Sequence, residues 1–214
     1  MNKNAKDLKY HNDHLIITDP PYNIGYKYKG DYIDKQSSDD YQALFKPMTG
    51  HRVVMIHYLD CLISDIIPIL GIPNKIIVWS YPSNMGNKCY RVIAWFNCAP
   101  TLSKVRVPYK NPKDKRIIEL VKRTGGRSLT DHWHINLVKN VSSEKIKGYT
   151  NQIPKEIIKN IIKTTAKEGD IIIDPFSGTG TTPCVAKELS FDFEWYDINQ
   201  TAIELTLNRL HKTT

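Results

Sequence analysis

Two apolar runs in this chain end in the same dipeptide: Leu15-Ile16-Ile17-Thr18 leads into Asp19-Pro20, and Ile171-Ile172-Ile173 leads into Asp174-Pro175. Continuously apolar runs of this length read as buried strands of an α/β sheet, covered on both faces. Further strand signals lie at Val53 to Tyr58, Lys75 to Ser80, Val92 to Cys98 and Phe191 to Tyr196. Between them are helical signals. Pro154 opens a segment in which Ile157, Ile158, Ile161 and Ile162 form a stripe at helical spacing, closed by Gly169. Another helix is expected from Thr181 to Leu189. A third follows Asn199, a good N-cap, with Ala202, Ile203, Thr206, Leu207 and Leu210 spaced to face a sheet. Strand-helix-strand order predicts a layered, mainly parallel sheet. Tyr81 to Lys88 reads as a hairpin-like connection, and Tyr26 to Asp40 as a long polar loop.

At 214 residues, 41% of them hydrophobic, the chain can bury one sizeable core, and a single domain over residues 1–214 is expected. No run of about 18 apolar residues occurs, and Met1 to Asp13 lacks the apolar segment of a signal peptide, so a soluble cytoplasmic protein with no membrane contact is expected. The four cysteines are far apart with no Cys-x-x-Cys pair. Neither a metal site nor a disulfide framework is indicated. His132 and His134 alternate as on a strand and read as structural residues, since no third ligand is placed beside them.

The net charge of +8 is unevenly spread. From Ser103 to Arg127 nine basic residues (Lys104, Arg106, Lys110, Lys113, Lys115, Arg116, Lys122, Arg123 and Arg127) face only Asp114 and Glu119. A polyanion is the natural partner of such a run, the alternative being a solvated face.

The turn after the second Asp-Pro is Asp174-Pro175-Phe176-Ser177-Gly178-Thr179-Gly180-Thr181-Thr182. Gly178 and Gly180 permit a tight turn with close backbone approach before the helix begins near Thr181, the position at which α/β sheets bind ligands. The third glycine of the dinucleotide fingerprint is replaced by Pro183, and the Gly-Lys pair of a phosphate loop is missing, so a pyrophosphate is disfavoured. About 20 residues on, Asp197 ends the next strand, where a carboxylate can accept both ribose hydroxyl protons. The pair Asp174 and Asp197 suits an adenosine that carries a positive or amino group.

At the first motif, Pro20 and Pro21 fix the backbone dihedral at successive residues. The Pro20 carbonyl is left free to accept, Asp19 offers a carboxylate, and Tyr22 offers an aromatic face. An exocyclic amine on a base is a poor nucleophile because its lone pair is delocalised into the ring. Two acceptors aimed at its hydrogens pull the nitrogen toward a tetrahedral shape and stabilise the positive charge that develops as a methyl group arrives. The base must leave a duplex to reach them, at a cost of a few kcal/mol that stacking on Tyr22 partly offsets.

With both motifs in view, the chain resembles the S-adenosylmethionine-dependent DNA amino-methyltransferases, in the circularly permuted group where the catalytic motif precedes the cofactor motif. The resemblance runs from about Leu15 to Leu210. Tyr149-Thr150-Asn151-Gln152-Ile153-Pro154 resembles the family's segment before the cofactor strand, with Tyr149 and Ile153 in place of a usual histidine and lysine. Asp131-His132-Trp133 sits where an Asp-x-Trp segment is common. The resemblance implies a Rossmann-like sheet, mostly parallel with one antiparallel strand, whose far strands come from Lys75 to Pro100. It implies that Asp19, Pro20, Pro21 and Tyr22 hold the target amine. It implies further that Thr150, Asp174, Phe176, Ser177, Gly178, Thr179, Gly180, Thr181 and Asp197 line the S-adenosylmethionine site, with Asp19 at its edge.

An Asp-led motif favours N6 of adenine over N4 of cytosine, whose enzymes more often begin with Ser. A catalytically weak nucleic-acid-binding relative, and an RNA or protein-glutamine methyltransferase with a usually Asn-led motif, are the other readings. DNA contact is assigned to Lys110, Lys113, Lys115, Arg116, Lys122, Arg123 and Arg127, a minimal target-recognition element, with a homodimer or helper subunit as one way to complete the grip. A restriction-modification setting fits this class. The eighteen residues before Asp19 leave little room for the upstream strand and acidic residue that relatives place against the cofactor's adenine.

Overall fold

The computed structural model describes residues 1–27, 34–82, 88–139, 142–147, 149 and 151–213, and the statements below concern these. The strands are β1 (His14–Thr18), β2 (Arg52–His57), β3 (Lys75–Ser80), β4 (Tyr90–Phe96), β5 (Arg106–Val107), β6 (Arg127–Ser128), β7 (His132–His134), β8 (Ile171–Asp174) and β9 (Asp192–Trp195). Seven of them form one sheet in the order β7-β3-β4-β2-β1-β8-β9, and β5 pairs with β6 in a separate ribbon. In the large sheet only β4 runs antiparallel to its neighbours, as expected of a methyltransferase sheet. The cause is local. β3 and β4 are joined by a short connection tied by a Tyr81 N–H to Cys89 carbonyl bond, so the second strand must return beside the first. Residues 83–87 of that connection lie outside the described residues.

Helices α1 (Ser38–Ala43), α2 (Leu59–Cys61), α3 (Ile67–Leu70), α4 (Lys115–Thr124), α5 (Lys155–Thr165), α6 (Thr181–Glu188) and α7 (Gln200–Lys212) complete the fold, with a π-helical segment Leu62–Ile66 between α2 and α3. The period-2 alternation of the strands divides the core in two. Leu15, Ile17, Val54, Ile56 and Ile172 face the isoleucine stripe of α5 and Val185 and Ala186 of α6. Ile16, Val53, Met55 and Ile173 face Tyr41, Phe45, Met48, Leu62 and Ile66 on the other side. Burial on both faces explains why these strands are apolar throughout. At the amino end of the strands Arg52 on β2 meets Asp170 before β8 through two bonds of 2.7 and 3.1 Å, both side chains largely buried.

Several expected boundaries move. β4 stops at Phe96 rather than Cys98, because Asn97 takes a left-handed φ of 54° and donates from its amide to the His51 carbonyl. The α5 helix ends at Thr165, and Gly169 (φ 82°) serves instead the turn into β8. The expected loop of Tyr26 to Asp40 already contains the start of α1, capped by the Ser37 hydroxyl on the Asp40 N–H; residues 28–33 lie outside the described residues. The basic segment, read as a charge run, contains α4. Asp114 caps its N-terminus on the Arg116 N–H, and Gly125 (φ 70°) closes it.

Candidate active site

Strands β1, β8 and β9 lie side by side and parallel, and each ends in or just before an aspartate: Asp19, Asp174 and Asp197. All three line one cavity at the carboxyl edge of the sheet, together with Pro21, Tyr149, Phe176 and Ser177. The two Asp-Pro strings, 155 residues apart in sequence, are thus neighbours because their strands pair in register, Ile16 beside Ile173.

The turn after β8 is built by its two glycines. Gly178 (φ 52°) and Gly180 (φ 72°) adopt the left-handed conformation, and a Cβ on Gly180 would stand 2.6 Å from Thr206 Cγ2 of α7. Thr206 in turn donates to the Gly178 carbonyl at 3.2 Å, and Arg209 donates to the Thr179 carbonyl and the Thr181 hydroxyl at 2.7 and 3.1 Å. α7 therefore holds the turn from below. Each Asp197 oxygen accepts one backbone N–H at 2.8 Å, from Gly178 and from Asn199. A carboxylate has about four lone-pair directions, so capacity remains for a ligand in a fixed orientation. Burial raises the Asp197 carboxyl, against the pull of those backbone donors. Asp174 is 4% exposed, and burial pushes its carboxyl up to about 7 despite bonds such as that from the Thr182 hydroxyl. Ser177 Oγ is buried without a hydrogen-bond partner among the described residues. The cavity thus contains a neutral-leaning carboxyl, an oriented carboxylate and an orphaned hydroxyl, a donor and acceptor set that fits a polar, cationic nucleoside.

Of the expected cofactor residues, Asp19, Asp174, Phe176, Ser177, Gly178, Thr179, Thr181 and Asp197 all line the cavity. Gly180 does not; it lies beneath the turn against Thr206. Thr150 lies outside the described residues, with Tyr149 and Asn151 on either side of it at the cavity wall.

The Asp19-Pro20-Pro21-Tyr22 string forms the opposite wall. Pro21 lines the cavity while Pro20 and Tyr22 are buried. The Tyr22 hydroxyl donates to Asp19 Oδ1. Among the described residues the Pro21 carbonyl accepts from the Tyr41 hydroxyl, and no bond to the Pro20 carbonyl is formed. The Tyr22 ring is packed rather than open: His57 and Tyr58 each lie 4.7 Å from it between centroids. Burial pushes the Asp19 carboxyl up to about 6, opposed by Arg91 and by the Tyr22 bond.

Several residues that shape this wall carry no signal in the motifs. Asp34 is 2% exposed and accepts the Tyr22 N–H at 3.2 Å and the Tyr26 N–H, folding the following loop back over the motif. His57 is fully buried and held neutral by that burial, its pKa near 4, with its Nε2 2.9 Å from the Tyr41 hydroxyl. The short N-terminal stretch also reaches the site. Met1 and Asn2 run beside Asp197, and Asn4 and Ala5 line the cavity without forming a strand.

None of the seven basic residues assigned to DNA lines the cavity. Lys110, Lys113, Lys115, Arg116, Lys122 and Arg123 are exposed, and Arg127 is half-buried on β6. Arg116 pairs with Asp114 at 2.9 Å and Lys122 with Glu119 at 3.0 Å. His132 and His134 flank the Ser80 hydroxyl at 2.6 and 3.0 Å on the β7 edge. Among the described residues no group of three or more metal-ligating side chains converges, and no helix is long and apolar enough to cross a membrane.

Residues 14–208 match the model of a family described as DNA methylase, of the N6 and N4 type. The type II methyltransferase M.HpaI of Haemophilus parainfluenzae is 27% identical over 97% of this chain and 71% of its own length. The DNA adenine methyltransferase YhdJ of Escherichia coli is 24% identical over 92% of this chain and 75% of its own. Among solved structures, the M1.HpyAVI–SAM complex superposes with a TM-score of 0.57 at 22% identity, covering 98% of each chain. The cytosine-N4-specific PvuII DNA methyltransferase gives 0.65 at 13% identity, over 96% of this chain and 82% of its own. The fold, the two motifs and the match along nearly the whole chain agree: this protein belongs to the N6/N4 DNA methylases, the amino-methyltransferases of DNA.

Proposed function

We propose that the protein transfers a methyl group from S-adenosylmethionine to N6 of adenine in DNA. The observation that carries this reading is the convergence of Asp19, Asp174 and Asp197 from three adjacent strand ends on one cavity. When bound, S-adenosylmethionine supplies a methyl group on a positively charged sulfur. Asp197, oriented by Gly178 and Asn199, takes the ribose hydroxyls; Asp174 and Ser177 take polar groups beyond them. Asp19 and the Pro20 carbonyl receive the two hydrogens of the target amine, so that its lone pair is turned out of the ring plane and toward the methyl donor. As the nitrogen–carbon bond forms the sulfur–methyl bond would break, the bonding pair staying on sulfur as a neutral thioether; the positive charge developing on the amine would sit beside the Asp19 carboxylate, and one amine proton would leave through that carboxylate to solvent.

Adenine is favoured by the leading aspartate of the motif and by the relationship to an enzyme named for adenine. N4 of cytosine is the near alternative, since the family includes both. Phosphate binding falls to the exposed cations of residues 103–127, which act as a small target-recognition element within a single domain. With so little chain free for reading bases, a short target or low sequence preference follows, and a second subunit would extend the grip. The test is a mass-spectrometric digest of DNA incubated with the protein and deuterated cofactor. Labelled N6-methyladenine is the expected product. Labelled N4-methylcytosine moves the target to the other base, and labelled 5-methylcytosine or an unlabelled digest overturns the amine mechanism.

A further inference from the structure

Behind the catalytic string lies a buried cation that the mechanism above does not use. Arg91 is the second residue of β4. Because β4 is the antiparallel strand, its beginning lies at the carboxyl edge of the parallel strands, and Arg91 pairs with Trp79 in the register of β3. Its side chain is 6% exposed, and Nη1 stands 3.8 Å from Asp19 Oδ2. The guanidinium carbon lies over three rings, 5.3 Å from the centre of Tyr22, 5.4 Å from Trp79 and 5.8 Å from Tyr58. Its Nε has no hydrogen-bond partner among the described residues.

Stability alone does not account for this arrangement. A guanidinium in an apolar pocket is offset only by well-made bonds, and an apolar side chain of similar size packs there at less cost. Among the described residues the one counter-charge, Asp19, is held at a distance longer than a hydrogen bond, the Tyr81 hydroxyl is the one side-chain acceptor, and Nε is left over. The aromatic faces supply part of the compensation and also fix the guanidinium plane. The Asp19 carboxylate is fixed at both oxygens as a result: the Tyr22 hydroxyl on Oδ1 and the Arg91 charge beside Oδ2.

We propose, resting on the amine-methylation reading, that Arg91 is a positioning residue which keeps the Asp19 carboxylate charged and aimed while it receives the target amine. The groups that act on Asp19 or on the two side chains holding it are Tyr22, from its own loop, Asp174 and Tyr149, which act on Asp19, neutral His57 and Tyr58 at the end of β2, packed on the Tyr22 ring, and Tyr81 after β3, beside Arg91. Among these and Arg91, only Arg91 carries a positive charge at neutral pH. Asp174 acts in the opposite sense, since two carboxylates across one cavity resist ionising together. Burial raises the Asp19 carboxyl and the Arg91 charge opposes that rise, holding it at about 6 and so favouring the carboxylate at neutral pH. Without it, Asp19 takes up a proton and no longer accepts from the amine.

The test compares the pH dependence of kcat in wild type, Arg91→Lys and Arg91→Met on unmethylated duplex DNA, with cofactor affinity and melting temperature measured for each. In Arg91→Met the acidic limb should move up by at least about one unit, so that activity lost near pH 6.5 returns by pH 9, roughly a tenfold differential. Arg91→Lys keeps the cation and should keep the limb near its wild-type position, with a uniform loss of rate from the poorer ring stack. An equal loss at every pH in Arg91→Met, with the limb unmoved, would make Arg91 a packing residue only and overturn the proposal. A second readout is independent of turnover: carboxyl-carbon resonances of aspartate-labelled protein, assigned with Asp19→Asn, should show Asp19 titrating at least one unit higher in Arg91→Met. If wild type methylates no base, the amine-methylation reading fails at that step, and an unmoved Asp19 titration would separately overturn the role of Arg91.

Discussion

At the residue scale the motif is more enclosed than a tetrapeptide suggests. Asp19 keeps 21% of its side chain accessible, yet each oxygen already has a partner on the protein side. Asp19→Ala should therefore abolish transfer while cofactor binding persists, because Asp197 and the Gly178 turn stand on other strands. Tyr22→Phe keeps the ring against His57 and Tyr58 and loses only the bond to Asp19. A bond to a charged group contributes about 1.5–3 kcal/mol, so kcat should fall by roughly 10- to 100-fold, with the product base unchanged. Across the cavity, Asp197→Ala removes the carboxylate proposed to accept the ribose hydroxyls, together with two anchors of the turn. Calorimetry should show cofactor affinity at least about tenfold weaker, and equal binding by wild type and variant would remove Asp197 from the site. These residues were legible because each follows an apolar strand. Arg91, His57 and Asp34 were not, since a lone polar residue in a strand or a loop signals nothing about which part of the fold it will support; the interactions that give them meaning span 12 to 72 residues of sequence.

At the element scale the strands β1 to β4, β8 and β9 and the three C-terminal helices declared themselves in the sequence, since each packs apolar side chains on the core, whereas the two-residue β5 and β6, which bury none, did not. α4 did not, although Ile117, Ile118, Leu120 and Val121 recur at helical spacing, because it buries no residue among those described and its cations dominate any reading of the segment. Its placement sharpens the expectation for DNA. Lys113 and Lys115 stand exposed at the start of the helix, beside the Asp114 cap that engages Arg116. Replacing Lys113, Lys115 and Arg116 by Ala should weaken DNA binding across sequences and lower the log-log salt slope by about 0.9 for each phosphate no longer neutralised, with cofactor affinity unchanged. An unchanged slope would leave the charge run as a solvated face. The turn after β8 makes a separate claim. Gly180→Ala puts a methyl group 2.6 Å from Thr206 at a left-handed backbone position, so the variant should lose roughly 1–3 kcal/mol in chemical denaturation and bind cofactor more weakly.

For the whole molecule, three adjacent strands deliver three carboxylates to one place, and the fold bears the cost of that until a cation arrives. Asp174 is the clearest case, with its carboxyl pushed up to about 7 by burial while the unfolded chain titrates near 3.8. The folded protein thus holds a proton there that the unfolded chain has already released. Stability tied to this group is fully present below about pH 4 and is lost as pH rises through about 7. Asp174→Asn removes the charge and keeps the shape. Relative to wild type the variant should therefore gain stability as pH rises, by about 2 kcal/mol between pH 5 and pH 8, read as a widening difference in denaturation midpoint. Taking the difference cancels the titration of groups that do not interact with Asp174, including repulsion among the excess cations at low pH; Asp19, coupled to it, titrates lower in the variant. A cofactor whose positive charge lies near Asp174 should close part of that gap at pH 8, because it offers the buried carboxylate a counter-ion. Parallel denaturation curves for wild type and variant at both pH values would show that Asp174 is ionised in the folded protein throughout, its burial already compensated before any cofactor binds.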